Sequence, residues 1–279
     1  YWAQKGTPKP HIVTAHQSFH GRTLATVTAT GQPKYHQGFD PLPQGFSYVP
    51  YDDIDALAAA ITPETGAILL EPVQGEGGVR VPKADYLAQV RALCDKHGVL
   101  LILDEVQTGL GRTGKLFAHQ HAGITPDIMS LAKGLANGVP MGAIGVTDEV
   151  STGFQPGSHA CTFGGNPLSS AAALATLQAL TAPGFLEEAA AVGAYFKQKL
   201  EAFAADHPSV VEVRGLGLML GVEFKEPVAP LLSNLQDAGI ICGPAGPNVV
   251  RFLPPLIITR EHIDRLMPIF TACAGELGW

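Results

Sequence analysis

Cysteine is scarce in this chain: four residues in 279, at Cys94, Cys161, Cys242 and Cys273. They lie far apart and none belongs to a C-x-x-C pair, which argues against both a zinc knuckle and a dithiol redox motif. Reduced thiols, and with them a cytoplasmic protein, are the expectation. Charge is also sparse, at 15% of residues, and it leans acidic, to a formal net of -7. No basic stripe is present to neutralise a phosphate backbone, so no nucleic-acid partner is expected. Uninterrupted apolar runs fall short of the roughly 18 residues that a membrane span needs, so no membrane partner is expected. There is no N-x-[ST] glycan acceptor. Residues 1–6 lack the apolar centre of a signal peptide and have no starting Met. They read as the end of a helix running into a loop, so the chain is expected to begin inside a domain.

What is present is an apolar chain, 46% hydrophobic by residue and longer than the usual single domain of about 100–200 residues. Short β-branched or Leu-rich runs at 11–15, 67–70, 99–103 and 143–146 read as strands. Between them 86–97 has helical periodicity, with Leu87, Val90, Leu93 and Cys94 on one face. Residues 53–61 and 128–136 also read as helices. Strand–helix alternation with nearly continuous apolar strands predicts an α/β fold with a mostly parallel, buried sheet. After Asn166-Pro167 the texture changes. Two long helices are expected at 168–180 and 185–205, then strands at 210–213, 218–224, 240–242 and 249–252, and a last helix at 260–274. That is a smaller α+β domain, so the division is placed at 1–180 and 181–279. No internal repeat and no low-complexity linker is visible.

The polar residues gather where the expected strands end, which is where α/β sheets collect ligand groups. The strand at 11–15 runs into Ser18-Phe19-His20-Gly21-Arg22-Thr23, and that at 67–70 into Glu71-Pro72-Val73-Gln74-Gly75-Glu76-Gly77-Gly78. The strand at 99–103 runs into Asp104-Glu105-Val106-Gln107-Thr108-Gly109. Ala132-Lys133-Gly134 and Thr162-Phe163-Gly164-Gly165-Asn166-Pro167 follow. In this order and at this spacing the five strings resemble the class III aminotransferases, over essentially the whole chain. The resemblance implies a fold-type I transferase that uses pyridoxal 5'-phosphate, built as a homodimer with active sites between subunits.

Residue by residue, the resemblance makes Lys133 the lysine that holds the cofactor aldehyde as a Schiff base. Asp104 becomes the carboxylate at the pyridine nitrogen, where it keeps the ring protonated and able to accept electrons. Gln107 would reach the 3-oxygen, and Phe19 and Val106 would cover the ring faces. Thr162 offers a hydroxyl to the phosphate of the neighbouring subunit's cofactor. Arg22 and Arg251 resemble substrate-carboxylate arginines, and Glu76 the acid that pairs with Arg251. That pair would act as a gate. Closed, Glu76 neutralises Arg251 while an ω-amino donor binds. Open, Arg251 grips a carboxylate of 2-oxoglutarate through its two-pronged guanidinium. Cys161 stands where Ser is common in relatives and would contact substrate or merely pack.

Within the family the resemblance is nearest to members acting on N-acetylornithine, with ornithine, 4-aminobutyrate and succinyl-diaminopimelate as alternative donors. The family normally carries a further stretch before the position matching Tyr1, including a Gly-rich phosphate-binding turn, so the chain reads as N-terminally truncated. Taken singly, each residue has an ordinary reading: Lys133 a surface charge, Asp104-Glu105 a helix N-cap pair, Phe19 a core ring, and Glu76 with Arg251 a structural salt bridge. A non-catalytic remnant is therefore the alternative of another class. Gly109, Gly111 and Gly114 match the dinucleotide pattern G-x-G-x-x-G, but they do not open a helix directly after a strand, so a dehydrogenase is set aside. His16 and His20 have i,i+4 spacing without the glutamate of a zinc helix, and no metal is expected.

Overall fold

The computed structural model describes residues 1–279, and the chain divides into two compact units. The first comprises Tyr1–Pro72, Pro82–Leu110 and Ala118–Ala179, and the second Val73–Val81, Gly111–Phe117 and Leu180–Trp279. Two short segments from the first half of the sequence thus belong with the C-terminal unit.

The first unit is built on a six-stranded sheet. Its strands are β1 (His11–Ala15), β2 (Phe46–Val49), β3 (Thr65–Leu70), β4 (Leu100–Asp104), β5 (Ile128–Leu131) and β6 (Ala143–Val146), in the order β2-β1-β3-β4-β5-β6. All neighbours are parallel except β5 and β6. The mostly parallel α/β expectation therefore holds, with an antiparallel edge strand. The helices are α1 (Leu24–Ala29), α2 (Ile54–Ala60), α3 (Tyr86–His97), α4 (Asp148–Ser151) and α5 (Pro167–Leu180). Asp53 starts α2 by accepting the Ala56 N–H at 2.9 Å, an N-cap that offsets one of the orphaned donors of the first turn. α3 presents Leu87, Val90 and Cys94 to a core with Ile68, Leu70, Leu101 and Leu103. It stops at Gly98, whose φ of 59° suits glycine far better than other residues.

Two expectations fail, one here and one in the second unit. Residues 128–136 are not a helix: 128–131 form β5, and a 3-10 turn follows at Lys133–Ala136. Ile128 pairs with Ile102 of β4 and with Val146 of β6. Two partner ladders outweigh a weak local preference in four residues. β2 was not anticipated, since Phe46-Ser47-Tyr48-Val49 is short and follows a Pro-rich stretch; pairing with β1 makes it a strand.

The second unit carries a four-stranded antiparallel sheet of β7 (Val210–Leu216), β8 (Met219–Phe224), β9 (Gly243–Pro244) and β10 (Val249–Phe252), ordered β7-β8-β10-β9. Its helices are α6 (Phe185–Asp206), α7 (Ala229–Asp237) and α8 (Arg260–Gly275). α6 buries Ala189, Val192, Phe196, Leu200 and Phe203, a stripe with helical spacing. The stripe shares a core with Phe224, Phe252 and Phe270. The strand expected at 240–242 is absent. Ile241 is 95% exposed, and the ladder to β10 forms instead at Gly243–Pro244. No helix is long and apolar enough to cross a membrane.

Candidate functional site

β1, β3, β4 and β5 run parallel and adjacent, so the residues that follow them emerge at one sheet edge. Topology alone thus gathers the Phe19 turn, Glu71, Asp104 and Lys133 there, the expected place for a ligand in an α/β sheet. The Phe19 N–H donates to Glu71 Oε2 at 3.1 Å, tying the turn after β1 to the end of β3. The buried Tyr51 hydroxyl donates to the carbonyls of Glu71 and Pro72 at 2.9 and 3.0 Å, and burial holds its pKa well above the usual value.

Asp104 is buried, at 8% exposure, and both of its oxygens are held. Its Oδ1 accepts from the Val106 N–H at 3.1 Å and from the Ser130 hydroxyl at 3.0 Å. Ser130 is its register partner on β5. Its Oδ2 lies 2.8 Å from His20 Nδ1. An ionised carboxylate only accepts, so this His20 nitrogen carries the proton. His20 Nε2 then accepts from the Thr14 hydroxyl at 3.1 Å, which is itself 3.4 Å from the Ser18 hydroxyl. Ser18 Oγ in turn accepts the Gly31 N–H at 2.9 Å. Every proton in this buried chain has a place. A carboxylate offers about four acceptor positions; three are used, and the one left is on Oδ2.

Lys133 opens the turn after β5 and is exposed, with φ of 50°. A lysine in the left-handed region is uncommon, and such outliers cluster at functional positions. Gln107 and Val106 are half-buried in the turn after β4. Arg22 is exposed, with its guanidinium carbon 5.4 Å from the Phe19 ring centroid and 4.5 Å from that of Tyr35. Phe19 and Tyr35 meet edge to face at 5.4 Å. Cys161 and Thr162 are exposed in the turn before α5.

The remaining two candidates lie in the second unit. Arg251 on β10 donates from Nη1 to Glu76 Oε1 at 2.6 Å, with both side chains largely buried. Residues 175 apart in sequence thus form the acid–arginine pair that the family resemblance implied.

Sequence reasoning overlooked two partners of Asp104. His20 drew notice only as half of a metal-like spacing, although it sits inside the Ser18–Thr23 string beside Phe19. Ser130 carried no local signal, because it meets Asp104 only through β-pairing. Glu105 is likewise no N-cap. Its fully buried carboxylate accepts from the Thr108 hydroxyl and the Ala118 and His119 N–H groups, each at 2.8 Å.

Comparison with known proteins adds the family. Residues 1–274 match the model for aminotransferase class III. An acetylornithine aminotransferase of Mesorhizobium japonicum is 51% identical over 279 residues, covering 99% of this chain and 70% of that protein. Another, from Myxococcus xanthus, is 48% identical over 93% of this chain, which spans only 66% of its length. Among solved structures, an ornithine aminotransferase of Toxoplasma gondii superposes with a TM-score of 0.93 at 36% identity, over 99% of this chain and 67% of that one. That structure is described as having partial occupancy of PLP at its active site. With the family model spanning nearly its whole length and relatives near half identity behind it, the chain belongs to the class III aminotransferases.

Proposed function

We propose that this chain belongs to a cytoplasmic aminotransferase of arginine biosynthesis. It moves the ω-amino group of N-acetylornithine to 2-oxoglutarate, giving N-acetylglutamate semialdehyde and glutamate. Residues 1–180 serve as the pyridoxal-phosphate domain and 181–279 as the smaller domain, with 73–81 and 111–117 grouped with the latter. Identity near 50% to acetylornithine aminotransferases supports the donor; the ornithine enzyme among solved structures is 36% identical.

The observation that carries the chemistry is the acceptor left open on Asp104 Oδ2, in a carboxylate already fixed by His20, Ser130 and Val106. This donor set suits pyridoxal phosphate, which needs a rigid anionic acceptor at its ring nitrogen and an amine for its aldehyde. Asp104 would hold the ring nitrogen and its proton, Gln107 the 3-oxygen, and Lys133 the aldehyde carbon. Phe19 and Val106 would shield the ring faces, and Thr162 would reach the phosphate across the subunit boundary. Bound there, the cofactor supplies a protonated ring that accepts the electrons left when the donor carbon loses its proton. Lys133 Nζ, as a neutral amine, would take that proton from the amine-bearing carbon and pass it to the carbon that carried the cofactor aldehyde. Arg22 binds a substrate carboxylate, and Cys161 lies against substrate. Glu76 neutralises Arg251 while the donor is bound, and its withdrawal lets Arg251 take a carboxylate of 2-oxoglutarate.

The homodimer is part of this reading. α5 carries no charged residue, yet Leu168 is 72% and Leu174 59% exposed. An apolar helix left open this way fits contact with a second copy.

Borohydride reduction of the holoenzyme tests the site. It should fix the cofactor on the peptide containing Lys133 and nowhere else, and Lys133→Ala should show no visible absorbance band. A band surviving in Lys133→Ala would overturn the assignment. Ornithine turning over faster than N-acetylornithine would overturn the donor.

A further inference from the structure

The second sheet places three residues in one row across β7, β8 and β10. Arg214 pairs with Gly221, and Gly221 with Arg251. Residues directly opposite across strands send their side chains to the same face, so two arginines flank a glycine. The segment Val73–Val81 lies over that row. Val79 is fully buried, and a Cβ on Gly221 would stand 3.0 Å from the Val79 Cβ. A residue without a side chain makes that seat. One residue back, the Gly78 carbonyl accepts from Arg214 Nε at 2.9 Å and Nη2 at 2.6 Å, while the Val79 carbonyl lies 3.2 Å from Nε. Two residues further back, Glu76 accepts from Arg251. One arginine grips the backbone of the segment, and the other its carboxylate.

The surroundings of Arg214 suit a permanent grip. Arg214 is buried, and its Nη1 donates to Glu212 at 2.7 Å and also to Glu223. Two carboxylates balance its charge, and Nε and Nη2 are turned to backbone carbonyls. A substrate carboxylate would have to displace fixed partners to reach it. The segment's own backbone bonds add to the anchoring, with Gln74 and Arg80 exchanging N–H···O bonds at 3.0 and 2.9 Å.

We infer that Arg214 is a positioning residue for the gate. It holds the backbone of 76–79 on the sheet, so that the Glu76–Arg251 pair opens by rotation of the Glu76 side chain with the segment in place. It thereby sets the balance between donor and acceptor binding. The inference rests on reading Glu76–Arg251 as the gate. Loosening the grip leaves Glu76 less well aimed and Arg251 less neutralised. The dicarboxylate acceptor then binds more readily and the donor less so.

The test compares Arg214→Lys, Glu76→Gln and the double variant as holoenzymes. Lysine keeps the charge but lacks the planar fork that serves carbonyls and carboxylates together. Hydrogen exchange at the Gly78 and Val79 amides, both bonded to the Gly75 carbonyl, should quicken about tenfold in Arg214→Lys. The ratio of KM for 2-oxoglutarate to KM for N-acetylornithine should fall about three- to tenfold, with kcat within about twofold. Glu76→Gln should lower the ratio further, and the double variant should match Glu76→Gln alone, as expected for residues acting through one contact. Val79→Ala, which loosens the same segment without touching Arg214, should shift the ratio in the same direction and serves if Arg214→Lys does not fold. An Arg214→Lys protein that melts earlier but keeps the wild-type ratio and exchange would make Arg214 merely structural and overturn the inference. An additive shift in the double variant would overturn it too. An unchanged ratio in Glu76→Gln would instead remove the gate itself, and this role with it.

Discussion

Replacing Glu105 by Gln isolates what holds the turn after β4, the turn that carries Val106 and Gln107. The Glu105 carboxylate is fully buried. It accepts from the Thr108 hydroxyl and the Ala118 N–H on Oε2, and from the His119 N–H on Oε1, all at 2.8 Å; His119 Nδ1 lies 3.0 Å from Oε1. Glutamine keeps the shape but turns one acceptor oxygen into a donor NH2. In one orientation that NH2 meets the Ala118 N–H, and in the other the His119 N–H. Either way a buried backbone donor loses its partner, which costs about 1–3 kcal/mol. The bonds that remain lose their charge assistance, worth about 1 kcal/mol more. The sum is about 2–4 kcal/mol, or a fall in Tm of about 3–7 °C for a chain of this size. Thermal melts of the apoprotein followed by circular dichroism measure it, with exposed Glu187→Gln as a control expected within about 0.5 kcal/mol. Faster amide exchange at Ala118 and His119 should accompany the loss. A destabilisation below about 1 kcal/mol, with those amides still protected, would refute the reasoning.

Other outcomes follow from the same structure. His20→Leu removes one of three donors to Asp104; it should weaken cofactor binding about 10–100-fold and shift the absorbance of bound cofactor, and an unchanged spectrum and affinity would refute its place beside Asp104. Leu168→Asp combined with Leu174→Asp should halve the particle mass in sedimentation, whereas an unchanged oligomer would exclude α5 as the shared surface. Burial pushes the Cys242 thiol up to about 11, so its reactive thiolate is scarce at neutral pH. Its alkylation should quicken about tenfold per pH unit from 8 towards 10, and a rate flat over that range would contradict the burial.

Much of the first unit was legible because its elements carry local signals. The run of β3 is buried almost throughout, that of β4 alternates buried Leu101 and Leu103 with half-buried Leu100 and Ile102, and α3 shows a regular apolar stripe with Gly at its end. β5 was misread for the opposite reason. Its four residues have no pattern of their own, and two neighbouring strands decide their conformation. The strand expected at 240–242 failed similarly, since an apolar run becomes a strand only where a ladder partner lies alongside.

By itself the sequence determined the α/β class, the order of the strings at the strand ends, and the position of Asp104 at the close of β4, because these depend on periodicity and residue type. Only the tertiary structure decided which groups meet. Asp104 meets His20, 84 residues away, and Ser130 on the neighbouring strand. Glu76 meets Arg251 across 175 residues, and the segment between Val73 and Val81 joins the C-terminal unit. Such contacts depend on strand order and register, which bring distant residues into one row while leaving no trace in the spacing along the chain.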